Sequence, residues 1–155
     1  MLIENPIVLL VDDSENDALL VRIAFERAGF TAPLQVVHDG EEAIAYLEGD
    51  GVFADRAKFP LPTALLLDLN MHRQSGFDVL SWIRKQPQLK QLCVYILSAS
   101  SQTVDIQLAY DLGANSYLVK PGTFDEMKRM ARGLLAWLKL SHFSVAESGS
   151  PIDSN

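Results

Sequence analysis

Several polar side chains stand directly after apolar runs, and their types suit the chemistry of phosphoryl groups. Asp12 and Asp13 follow "IVLLV", Asp68 follows "ALLL", Ser98 follows "CVYIL", and Lys120 follows "SYLV". An unpaired buried carboxylate is costly, so carboxylates at such places normally bind a cation or take part in a reaction. The question is whether the fold brings them together.

If the first and third runs are neighbours, three carboxylates meet and need a cation to balance them. Mg²⁺ fits, because it binds one or two carboxylates and keeps positions for water and phosphate oxygens. A carboxylate such as Asp68 can also attack phosphorus and form an aspartyl phosphate. That transfer depends mainly on positioning and charge neutralisation, for which Lys120 offers an ammonium and Ser98 a hydroxyl donor.

The surrounding pattern predicts the elements that would position these groups. Apolar runs at 7–11, 34–38, 64–68, 93–97 and 116–120 alternate with stretches of helical period near 15–29, 40–48, 75–85, 102–112 and 123–140. Continuous apolar runs are typical of parallel strands covered on both faces. Five βα units in a row predict an α/β fold with a doubly wound parallel sheet, whose functional crevice lies beyond the carboxyl ends of the strands.

Composition narrows the class of protein. The 155 residues are 48% hydrophobic, which predicts one globular domain, and the net charge of −7 disfavours nucleic-acid binding by charge attraction. The single cysteine, Cys93, allows no internal disulfide and is expected in the core. No secretory signal and no apolar run of membrane-spanning length is visible, so we expect a cytoplasmic protein.

At these residues the chain resembles the response-regulator receiver domain, the CheY-like phosphoacceptor of two-component signalling. The matching motifs are "VLLVDD" (8–13), "LLLDLNM" (65–71), "SGFDVL" (75–80), "ILSAS" (96–100) and "LGANSYLVKP" (112–121). The resemblance implies a flavodoxin-like sheet with strand order 2-1-3-4-5 over residues 6–140. Residues 1–5 would be a short extension, and the Ser-rich, aperiodic stretch 141–155 would be a flexible tail.

The resemblance also implies a role for each site residue. Asp68 would accept a phosphoryl group from a sensor histidine kinase, and Ser98 and Lys120 would contact it. Asp12 and Asp13 would bind Mg²⁺ together with Asp68 and the backbone carbonyl of Asn70.

Further positions would control the switch and its lifetime. Ser98, where threonine is commoner in the family, would move toward the phosphate while Tyr117 turns inward. Asn70 and Ser100 would tune dephosphorylation, and the bond from Lys120 to Pro121 would be cis.

Output is expected through binding or assembly, as in a stand-alone regulator within a phosphorelay. The downstream partner would be a protein, or a second copy of this chain bound through helix 4, strand 5 and helix 5. On helix 5, Met130 and Trp137 lie off the apolar stripe, which fits either partial burial or such a partner face. The long 49–62 connection and "VVHDGEEAIAYL" resemble regulators paired with bacterial phytochrome kinases.

Three other functions remain to be weighed. A phosphatase of the haloacid-dehalogenase type would usually carry a second acid two residues after its nucleophile, where this chain has Asn70. An FMN carrier would need a hydroxyl- and glycine-rich loop after strand 1, but "DDSENDA" is acidic and repels phosphate. A phosphorylation-independent binding module on the same fold is the closest alternative, although such modules tend to lose an acid or the lysine.

Overall fold

A parallel sheet of five strands, in the order β2-β1-β3-β4-β5, forms the centre of the computed structural model, which describes residues 5–72 and 74–141. The strands are β1 (Val8–Val11), β2 (Gln35–Val37), β3 (Ala64–Leu67), β4 (Cys93–Ser98) and β5 (Ser116–Val119). The helices are α1 (Glu15–Ala28), α2 (Gly40–Glu48), α3 (Gly76–Lys85), α4 (Thr103–Asp111) and α5 (Phe124–Leu140). The predicted fold class and strand order are confirmed.

Short polar side chains cap the N-termini of four of the helices. Each N-cap oxygen accepts a hydrogen bond from the backbone N–H three residues later, which satisfies one free donor of the first turn. The caps are Ser14, Asp39, Ser75 and Thr123. Gly29 ends α1 with a φ of 103°, in the left-handed region that favours glycine.

The core holds β1 and β3 side by side as neighbouring strands. Every residue of both strands is buried, and Val11 is in register with Leu67 at their carboxyl ends. Two apolar clusters cover the sheet, one on the face of α2, α3 and α4 and the other on the face of α1 and α5. This packing places the residues that follow Val11 and Leu67 beside each other.

Arg56 orders the long connection between α2 and β3. Its guanidinium donates to the carbonyls of Tyr46 at 2.7 Å, Leu47 at 3.0 Å and Phe59 at 3.2 Å. Tyr46 in turn donates its hydroxyl to the carbonyl of Pro60 at 2.7 Å. One side chain therefore satisfies carbonyls in the last turn of α2 and joins them to the connection.

We expect Arg56→Ala to lower the free energy of unfolding by about 2 kcal/mol, because half-buried carbonyls lose charge-assisted donors. Arg56→Lys should lose most of the same stability, since an ammonium cannot reproduce the planar fork. Urea denaturation measures both variants, with Lys90→Ala, which removes an exposed cation, as the control. An Arg56→Ala variant as stable as the control would contradict this role for Arg56.

Two sequence-based expectations meet a different outcome, and a third lies almost wholly outside the described residues. The described residues contain no cis peptide bond, so the bond from Lys120 to Pro121 is trans and the expected cis bond is wrong. Trans is the more stable form of most X-Pro bonds. On the N-terminal side of the proline, the backbone N–H of Lys120 donates to the carbonyl of Ser98 at 2.8 Å. Cys93 is only partly buried. The expected flexible tail lies outside the described residues, apart from Ser141.

Among the helices of the described residues, none combines the length and the apolar character needed to span a bilayer.

Candidate metal and phosphoryl site

The hydrogen-bond ladder of the sheet continues one residue beyond β1 and β3 and so fixes the first two site residues. The backbone N–H of Asp12 donates to the carbonyl of Val37 at 3.1 Å, and that of Asp68 donates to the carbonyl of Val11 at 3.0 Å. Both backbones are therefore held by neighbouring strands before any side-chain contact forms. Their carboxylates lie at the carboxyl edge of the sheet, as predicted.

Three carboxylates converge at this edge. One oxygen from each of Asp12, Asp13 and Asp68 lies within 4.8 Å of the others. Asp12 is fully buried, Asp68 is 5% exposed, and Asp13 lies at the rim. A set of hard oxygen donors at this spacing fits a divalent cation of the Mg²⁺ class.

Backbone donors hold each carboxylate in place. Asp12 accepts from the N–H of Ser14 at 2.9 Å, and Asp68 accepts from the N–H of Asn70 at 3.2 Å. Asp13 accepts from the N–H of His72 at 3.2 Å. Each of these bonds uses one lone pair and leaves others for a cation.

Lys120 is bound to three carboxylates at once. Its Nζ donates to Asp12 at 3.0 Å, to Asp68 at 3.1 Å and to Asp17 at 3.0 Å. An ammonium has three N–H donors, so all of them are engaged. Asp12, Asp68 and Lys120 were predicted together, whereas Asp17, in the first turn of α1, was not identified from the sequence as a site residue.

The environment shifts two pKa values, that of Asp68 in the direction that burial favours and that of Lys120 against it. Burial raises the pKa of Asp68, and the charge of Lys120 and the N–H of Asn70 reverse only part of that increase. Burial alone would lower the pKa of Lys120, but the hydrogen bonds and charges of the surrounding carboxylates outweigh it and raise that pKa. Lys120 therefore remains an ammonium, and ionised Asp68 depends on nearby positive charge.

Ser98 completes the group from the end of β4. It is fully buried, and its hydroxyl accepts from the backbone N–H of Ser100 at 3.3 Å. The main-chain bond between Lys120 and Ser98 aligns the ends of β4 and β5, so both side chains belong to the same edge of the sheet.

Ser100 and Tyr117 connect this edge to α4. The hydroxyl of Ser100 donates to Asp105 at 2.5 Å and accepts from the N–H of Gln102 at 3.3 Å, where α4 begins. Tyr117 donates its hydroxyl to the carbonyl of Ser100 at 2.8 Å. Tyr117 is thus joined to the loop that follows Ser98.

Gly76 approaches the backbone of Asp68 more closely than a side chain would allow. Its N–H donates to the carbonyl of Leu69 at 3.0 Å. A Cβ on Gly76 would overlap the carbonyl oxygen of Asp68 and lie 2.9 Å from the Cα of Leu69. The start of α3 therefore packs directly against the loop that carries Asp68.

Comparison with known proteins points to one family. The family model of the response regulator receiver domain matches residues 8–132. A probable methanogenesis regulatory protein, FilR2 from Methanothrix harundinacea (strain 6Ac), is 39% identical over 130 residues, or 81% of this chain and 79% of the relative. Response regulator Rcp1 from Synechocystis sp. (strain ATCC 27184 / PCC 6803 / Kazusa) is 32% identical over 134 residues, or 86% of this chain and 89% of the relative.

Solved structures give the same result. The Mn²⁺-bound form of Rcp1 superposes with a TM-score of 0.78 at 30% identity, covering 90% of this chain and 99% of that one. The phosphorylated cyanobacterial phytochrome response regulator RcpA superposes with a TM-score of 0.79 at 34% identity, covering 90% and 98% of the two chains.

Proposed function

This chain belongs to the response regulator receiver domain family, and we propose that it accepts a phosphoryl group from a histidine kinase onto Asp68 in the presence of Mg²⁺. The observation that most strongly supports this proposal is the position of Asp68. Its nearly buried carboxylate lies between an ammonium and two further carboxylates, within 4.8 Å of the latter. Members of this family are signalling phosphoacceptors rather than enzymes that turn over a small substrate.

In the proposed reaction, a carboxylate oxygen of Asp68 attacks the phosphorus of a phosphohistidine. The O–P bond forms as the P–N bond breaks, and the imidazole leaves with the electron pair and takes up a proton. Lys120 donates to a phosphoryl oxygen and balances the developing charge, and the Ser98 hydroxyl offers a second donor.

We further propose that Asp12, Asp13, Asp68 and the backbone carbonyl of Asn70 would hold the metal. A bound Mg²⁺ would neutralise phosphoryl charge and orient the transferred group. The oxygen donor set supports this choice, and Rcp1, a relative, has been crystallised with Mn²⁺, an ion of similar ligand preference.

The switch proposal rests on Ser98 and Tyr117. Movement of Ser98 toward a phosphoryl oxygen would disturb its bond with the N–H of Ser100, whose carbonyl holds Tyr117 and whose hydroxyl lies at the start of α4. A change at Asp68 can therefore reach the surface of α4 and β5 through a few contacts. Asn70 and Ser100 remain our candidates for tuning dephosphorylation.

The proposal also covers partners and location. The phosphoryl donor would be a cytoplasmic sensor histidine kinase, and the similarity to RcpA favours one of the phytochrome type. Exposed apolar side chains on α4, β5 and α5 favour a protein partner or a second copy of the chain over DNA. They are Val104, Leu108, Val119 and Trp137.

Acetyl phosphate tests the proposed reaction without the cognate kinase. We expect intact-mass spectrometry to detect one added phosphoryl group with Mg²⁺ and none with EDTA. If acetyl phosphate adds nothing and beryllofluoride, a phosphoryl mimic, does not bind in Mg²⁺, the proposal fails. A phosphorylation-independent binding module would then be the better description.

A further inference from the structure

The carboxylate of Asp17 takes up one of the N–H donors that the phosphoryl group would need. Asp17 lies in the first turn of α1, and its backbone N–H donates to the N-cap oxygen of Ser14 at 3.2 Å. Its carboxylate is 3.0 Å from the Nζ of Lys120, while its side chain is 48% exposed. Asp17 therefore contacts the buried site through Lys120 and solvent on its other side.

We propose that Asp17 is a positioning residue that restrains Lys120 and weakens the affinity of the site for the phosphoryl group. This inference rests on the proposed function and assigns a regulatory role to a residue outside the carboxylates that would hold the metal.

The first reason is competition for donors. Lys120 has three N–H groups, and Asp12, Asp17 and Asp68 accept all of them. When an oxygen of Asp68 is phosphorylated, the carboxylate loses its charge and becomes a poorer acceptor, so one donor can turn to the phosphoryl group. The ion pair with Asp17 still draws the ammonium toward α1 and limits how far it can follow the phosphoryl oxygens.

The second reason is repulsion. Asp17 and Asp68 both contact the same nitrogen, so their oxygens lie within about 6 Å of each other. A phosphoryl group on Asp68 brings more negative charge into this region. The carboxylate of Asp17 opposes that charge directly, so competition and repulsion act in the same direction.

Beryllofluoride affinity of the full chain, measured by titration calorimetry at fixed Mg²⁺, tests the inference. We expect Asp17→Asn to bind about threefold to fivefold more tightly than wild type, the range for a partly exposed ion pair. Glu15→Gln is the matched control, because it removes an exposed acid from the same helical turn. Glu15→Gln should change the beryllofluoride affinity by less than about half of the change expected for Asp17→Asn.

The direction of the change separates regulation from simple support of the fold. If Asp17 only supported the site, its loss would weaken binding. Asp17→Glu keeps a carboxylate within reach of the flexible lysine and should stay near the wild-type affinity.

Two results would overturn the role of Asp17. One is an Asp17→Asn affinity equal to or below that of Glu15→Gln, and the other is an equal gain in Asp17→Glu. Folded wild-type protein that binds no beryllofluoride would instead overturn the proposed function itself.

Discussion

Replacing Asp68 with asparagine should abolish phosphoryl incorporation and at the same time raise the free energy of unfolding. The amide keeps the shape of the side chain but lacks the nucleophilic carboxylate. The substitution also removes a carboxylate whose pKa is raised by burial. Lys120 keeps Asp12 and Asp17 as partners. Because the buried charge is costly, we expect a gain of about 1 kcal/mol in metal-free buffer.

The gain should depend on pH in a defined direction. A raised pKa in the folded state means that ionised Asp68 costs stability at neutral pH and that protonation removes the cost as the pH falls through that pKa. The difference between Asp68→Asn and wild type should therefore shrink in acid. Urea denaturation in EDTA measures it, with the exposed Asp78→Asn as a matched control for both readouts. Continued incorporation by Asp68→Asn, or a clear loss of stability, would contradict our account of this site.

Gly76→Ala should be strongly destabilising and should also impair phosphorylation. The added Cβ overlaps the carbonyl oxygen of Asp68, and its other nearest neighbours are also backbone atoms of residues 68 and 69. Backbone cannot rotate away as a flexible side chain can, so α3 or the loop after β3 must move. We expect a loss of about 3 kcal/mol in the free energy of unfolding, at the upper end for overpacking.

Gly133→Ala provides the matched control, because nothing lies within 4 Å of a Cβ at that position. Gly133 is inside α5, where alanine is the better helix former, so this variant should gain about 0.5–1 kcal/mol. Denaturation and the rate of acetyl phosphate incorporation are measured on both variants. A stable and normally phosphorylated Gly76→Ala protein would show that the loop of Asp68 is not held by this close approach.

The apolar pattern predicted the parallel sheet, and the strand order implied by the family resemblance then predicted the convergence of the acids. Continuous apolar runs predicted parallel strands, and the rule for carboxyl ends placed Asp12, Asp68 and Lys120 at one edge, where the structure has them in contact. Residues at strand ends are predictable because the ladder fixes their backbone.

Contacts made by long or helical side chains were harder to predict. Asp17 reaches Lys120 because of the way α1 is rotated about its own axis. The pattern of the strands does not specify that rotation. Arg56 joins the 49–62 connection to the end of α2 through carbonyls, and carbonyls leave no pattern in a sequence. The cis bond at Pro121 was expected from family resemblance alone, and the described residues have this bond in the trans form.

Chemical mapping of the phosphoryl group tests the central claim most directly. Borohydride reduces an aspartyl phosphate to homoserine, which marks the modified position in a peptide map. After treatment with acetyl phosphate and Mg²⁺, our account predicts this conversion at Asp68 and at neither Asp12, Asp13 nor Asp17. Conversion at another of these carboxylates, or a phosphorylated residue that borohydride does not convert to homoserine, would contradict the assignment of Asp68 as the phosphoacceptor.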